Sequence, residues 1–143
     1  MPGIVVGVDG SDHSQRVLEW AVKEAALRQA PLTVLTVHQV VGSAWTGNPV
    51  VLPEDRPEEA KAREAADAAV NQVLSTVGEA RPPSVTVRAT SGFPARELVD
   101  ASQDADLVVV GSRGGGGFRG LLTGSVSTQV VNHAECPVVV IRP

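Results

Sequence analysis

Apolar positions along the chain follow two periods in alternation. Continuous apolar runs stand at Ile4, Val5, Val6 and Val8, at Leu107 to Val110 and at Val138 to Ile141, and Leu32 to His38, with Thr33 and Thr36 among its apolar residues, reads as a further strand. Short runs of this kind, rich in β-branched residues, mark strands buried on both faces. Val85 to Ala89 alternates instead, as a strand at a sheet edge does. Between the runs the period changes to that of a helix. Val17, Leu18, Ala21, Val22 and Ala25 share one face, with Trp20 near its edge and a stop by Pro31. Ser11, Asp12 and Ser14 are candidate caps at its start. A long helix is predicted over Glu58 to Val77, with Ala62, Ala66, Ala69, Val70, Val73, Leu74 and Val77 inward. Gly78 and Pro82 end it, and Glu59, Lys61, Arg63 and Glu64 read as its solvated face. Ser91-Gly92 reads as a turn, after which Pro94 opens a helix carrying Leu98 and Val99. Val126, Val130, Val131 and Ala134 recur at helical spacing before the last strand. The stretch from Gly42 to Pro57, with its glycines and prolines, is read as irregular.

Strands and helices therefore alternate from end to end. That order predicts an α/β fold with a parallel sheet covered on both faces, and right-handed crossovers limit its topologies. The 143 residues, 43% hydrophobic, suffice for one domain over 1–143 with its own core. No tandem repeat or linker interrupts them. The net charge of −4 argues against a nucleic-acid partner, and an aromatic content of 3% leaves little for base stacking. The single cysteine, Cys136, excludes an internal disulfide and reads as a small buried hydrophobe. No signal-peptide pattern precedes the first strand, and no apolar run approaches the roughly 18 residues of a membrane span. A cytoplasmic protein without membrane association is expected.

The candidate chemistry lies between Gly111 and Ser125, G-S-R-G-G-G-G-F-R-G-L-L-T-G-S. A glycine-rich segment that leaves a strand and enters a helix exposes backbone N–H groups to an anion, and the helix start adds unpaired N–H groups and a positive dipole end. A plain flexible connector is the alternative. A Walker A loop is absent, because the lysines, Lys23 and Lys61, stand elsewhere. Gly115, Gly117 and Gly120 formally spell a dinucleotide fingerprint. However, the helix is predicted to begin only near Gly124, and the next strand ends without an acid. The pattern G-x2-G-x9-G-S fits without adjustment at Gly111, Gly114, Gly124 and Ser125. With V-V-V-G-S-R-G before it and C-P-V-V-V-I after it, the chain resembles the ATP-binding branch of the universal stress protein family over its whole length.

The resemblance implies a doubly wound five-stranded parallel sheet in the order 3-2-1-4-5. Reversal of order between the first and fourth strands would bring Asp9 beside Gly111. From the residues alone, Asp9 is either a turn aspartate or a ligand at a strand's C-terminal end; the family implies the second. It also implies backbone contacts from Val37 to adenine. Gly7, Gly111, Ser112, Arg113, Gly114, Gly124, Ser125 and Val126 complete the expected nucleotide contacts. The expected ligand is ATP, or AMP or cyclic AMP, with Mg²⁺ held at Asp9 or Ser112. Arg119 is read as a loop charge or a second phosphate partner. His13 is read as a solvated loop residue, with a phosphate neighbour as the alternative. His38 is read as a surface residue at a strand end, since no second His or Cys stands at metal spacing. The 42–57 stretch is either a lid beside the adenosine or disordered, and Trp45 either exposed or folded over the site.

No G-x-S-x-G elbow and no convincing general base is present, and the resemblance implies at most slow ATP hydrolysis. The family implies a nucleotide-binding stress-response or signalling module with a protein partner. The alternatives are a slow ATPase whose turnover regulates that partner, or a dimeric scaffold that does not use the pocket. The uninterrupted apolar run Val138 to Ile141 would be a bare edge strand, and both this exposure and the resemblance point to a homodimer through it.

Overall fold

Each apolar run becomes a strand of one parallel sheet because helices cover both of its faces. The computed structural model describes residues 2–112 and 125–143. Its elements are β1 (Ile4–Val8), α1 (Asp12–Arg28), β2 (Leu32–Gln39), α2 (Asp55–Val77), β3 (Val85–Gly92), α3 (Pro94–Ser102), β4 (Leu107–Gly111), α4 (Ser125–His133) and β5 (Val138–Ile141). The strands form one five-stranded sheet in the order β3-β2-β1-β4-β5, with every neighbouring pair parallel. This is the order expected.

Alternation along each strand divides the core in two. Ile4, Val6, Leu32, Val34, Leu107 and Val109 face α1 and α2, where Val17, Leu18, Ala21, Val22, Val70 and Val73 meet them. Val5, Leu35, Val108 and Val110 face the other way, onto Leu98 of α3 and Val130 of α4. Both sides of β1 and β4 are thus dry, which is why their sequences carry no polar alternation.

Element ends differ from expectation for tertiary reasons. β3 does not turn at Ser91-Gly92. Its ladder with β2 continues through Ser91↔His38 and Gly92↔Gln39, so neighbouring strand length sets where it stops. α2 begins at Asp55 rather than Glu58, with Pro57 in its first turn. The missing N–H of a proline is harmless there, because the first N–H groups of a helix have no intrahelical partner. In α4, Val126 and Val130 pack inward, as does Ala134 just past its end, whereas Val131 is exposed. The segment after β2 folds back on itself through an antiparallel bridge Gly42↔Pro49. Ser43 N–H donates to Asn48 O at 2.8 Å and Val50 N–H to Val41 O at 2.9 Å. Trp45, at its tip, is 95% exposed and covers nothing.

Candidate functional site

β1 and β4 are neighbours whose chains leave toward opposite faces. β1 runs into α1 on one side and β4 toward α4 on the other, so a crevice opens at their C-terminal ends. The register pairs Val6 with Val109; continued in step, it sets Val8 level with Gly111 and Asp9 level with Ser112. The topology therefore brings Asp9 and the start of the glycine-rich segment to one place. Arg113, Gly114 and Gly124, with Gly115, Gly117, Arg119 and Gly120, lie outside the described residues.

The β1–α1 turn is built on side-chain hydrogen bonds. Asp9 Oδ1 accepts Ser11 N–H at 3.0 Å and the Ser11 hydroxyl at 2.6 Å. Ser11 is the N-cap of α1, its Oγ accepting Ser14 N–H at 3.3 Å. Gly10 between them has φ +82°, a left-handed conformation that glycine adopts without a Cβ clash. Asp9 therefore shapes the turn, and its exposed carboxylate still borders the crevice.

Beside Asp9 a cleft runs between α1 and α2. Val8, Leu18 and Thr36 line it from the sheet and α1, and Ala62, Ala65, Ala66 and Ala69 line it from α2. Sequence reading missed Thr36 and Ala65, and assigned the other alanines only to packing. The available signals were a hydroxyl inside an apolar strand and the density of alanine on one helix. Thr36 is buried, while the side chain of its neighbour Val37 packs toward α3 and α4 on the opposite face. Gly7 also faces that side: a Cβ there would stand 3.0 Å from Leu98.

Ser112 N–H donates to Ile141 O at 2.9 Å, tying the end of β4 to the end of β5. Ser125 opens α4, and Val126 in its first turn packs on the second core cluster. His13 is not a solvated loop residue. It lies in the first turn of α1, half-buried, with Nε2 3.1 Å from Ile141 O. A Cβ on Gly111 would stand 2.8 Å from its ring. His38 is half-buried too, Nε2 lying 2.9 Å from Asp55 Oδ1. Among the described residues no group of three or more His, Cys, Asp or Glu is placed to hold a metal ion. Cys136 is half-buried, and burial pushes its thiol above the ordinary range, so it is no activated nucleophile. No helix among the described residues is long and apolar enough to cross a membrane.

A parallel sheet in this order, with a capped Asp-Gly-Ser turn after β1 and a glycine-rich segment after β4, defines a doubly wound α/β domain, a class of fold whose ligands bind at the switch point of the sheet. The chain belongs to the universal stress protein family, whose profile matches residues 2–142. A universal stress protein of Mycolicibacterium smegmatis is 38% identical over 140 residues, covering 98% of this chain and 48% of that protein. The chain thus spans about half the length of this relative. Universal stress protein UspA from Lactobacillus plantarum superposes with a TM-score of 0.76 at 28% identity, covering 99% of this chain and 97% of that one. A universal stress protein solved in complex with cAMP gives 0.67 at 30% identity, covering 99% and 96%. The universal stress protein from Archaeoglobus fulgidus in complex with dAMP gives 0.63 at 29% identity, covering 99% and 98%.

Proposed function

We propose that this protein binds an adenine nucleotide across the crevice between β1 and β4 and acts as a nucleotide-responsive stress or signalling module. The observation that carries this is the reversal of strand order, which sets the Asp9 turn level with Ser112, where the glycine-rich segment begins. The residues present suit such a ligand. The cleft walled by Val8, Leu18 and the α2 alanines is apolar, the lining that the face of a base favours. The Asp9 carboxylate at its mouth is an acceptor for ribose hydroxyls. Backbone N–H groups of the glycine-rich segment and of the α4 start would take phosphates. The cAMP and dAMP complexes of similar proteins support the adenine class. Within it, the resemblance of the G-x2-G-x9-G-S spacing to the ATP-binding branch of the family supports ATP.

Mg²⁺ would arrive with the phosphates. Ser112 would supply an oxygen ligand from the protein, Asp9 would supply one in place of its ribose contact, and the phosphates would complete the shell. The half-buried edge strand β5 supports a homodimer formed through it. We place the module in the cytoplasm, where it would act on a protein partner.

Calorimetric titration with ATP, AMP and cyclic AMP tests the reading, followed by single-turnover assay with labelled ATP. Saturable binding of at least one nucleotide per chain is expected, without phosphate release on the timescale of binding. Asp9→Ala should weaken it about tenfold, the loss of one hydrogen bond to a charged group. Absence of saturable binding by all three nucleotides overturns the proposal. Rapid phosphate release would replace the binding module by an ATPase.

A further inference from the structure

We infer that His13 is a positioning residue of the crevice, and that Gly111 is a glycine in this chain because the His13 ring rests on it. The inference deepens the nucleotide-binding reading and rests on it where affinity is concerned. His13 Nε2 lies 3.1 Å from the carbonyl oxygen of Ile141. A carbonyl only accepts, so the bond assigns the proton to Nε2. The same oxygen accepts Ser112 N–H at 2.9 Å. One atom at the end of β5 thus joins the start of α1 to the end of β4, immediately before the glycine-rich segment departs. The ring reaches that atom by crossing Gly111. A Cβ on Gly111 would stand 2.8 Å from both Cδ2 and Nε2 of His13, and 3.1 Å from Cγ2 of Val17. Gly111 sits within β4, and its backbone has no positive φ that would itself require glycine. Close approach of the ring is the requirement, and the ring cannot swing away without giving up Ile141. Through this contact a ligand in the crevice and the edge strand β5 share one anchor.

Two sets of variants test it. The first is a melting cycle of the unaltered protein, Gly111→Ala, His13→Ala and the double variant. Gly111→Ala is expected to lower Tm by about 4 °C or more where His13 is present. In the His13→Ala background the loss should fall to less than half, the remainder coming from Val17. An equal loss in both backgrounds overturns the seat. The second set measures AMP and ATP affinity. His13→Gln carries an amide N–H to the position of Nε2, whereas His13→Asn stops short of it. Gln should keep affinity within about twofold, while Asn and Ala lose about tenfold. Undiminished affinity in His13→Ala, or equal loss in Gln and Ala, overturns the positioning role. Should the unaltered protein bind no adenine nucleotide, the functional reading fails by itself and the positioning role with it, while the melting cycle still decides the seat.

Discussion

Two histidines of this chain act on oxygen atoms far away in sequence. His13 holds Ile141, 128 positions on, and His38 holds Asp55, 17 positions on. Neither partner could be read from local pattern, which is why both side chains looked like surface residues. Asp9 was different, because an Asp-Gly-Ser turn after a strand announces its own hydrogen bonds. The His38–Asp55 pair closes the segment after β2. Asp55 Oδ2 accepts Leu52 N–H at 2.8 Å and Oδ1 meets His38. The Leu52 amide first, and then His38, holds the Asp55 carboxyl below its ordinary range. A depressed folded-state pKa contributes stability above the unfolded value and loses it as pH falls through the folded one. Asp55→Ala should therefore melt a few degrees lower than the unaltered protein near neutrality, and the gap should narrow below about pH 4. Melting curves across that range check it, and a pH-independent gap contradicts the role given to the carboxylate.

At the scale of elements, β1, β4, α1 and β5 were legible because burial on both sheet faces, or on one helix face, writes itself into the local period. Ends were less so. β3 runs on to Gly92 because β2 offers it a ladder, and α2 starts early where Asp55 meets His38. The alanines of α2 fit a packing face by period alone. Their second consequence, the cleft beside Asp9, depends on how far α2 stands from α1. The edge strand β5 carries a prediction of its own. Pro137 O and Ile141 O accept from Val108 and Ser112 of the β4 side. Residues alternate along a strand, so the backbone groups of Val138 and Val140 point away from β4. Val140→Pro removes one outward N–H and leaves the β4 ladder intact. If two copies pair through β5, light scattering should give twice the chain mass for the unaltered protein and one chain mass for Val140→Pro. A single-chain mass for the unaltered protein, or an unchanged dimer in the variant, contradicts pairing through this edge.

For the molecule as a whole, the account turns on one topological fact: the strand order reverses between β1 and β4, and this sets the capped turn level with Gly111 and Ser112. Each feature was visible in the sequence, but their shared level depends on sheet order, which the family resemblance implied and the fold bears out. Backbone amide NMR during titration with AMP tests the central claim most directly. Shifts are predicted to concentrate at Asp9, Gly10, Thr36, Gly111, Ser112, Ser125 and Val126, and to saturate together. Saturable shifts confined to the Trp45 segment or the outer face of α2, with the β1 and β4 ends unmoved, would contradict it.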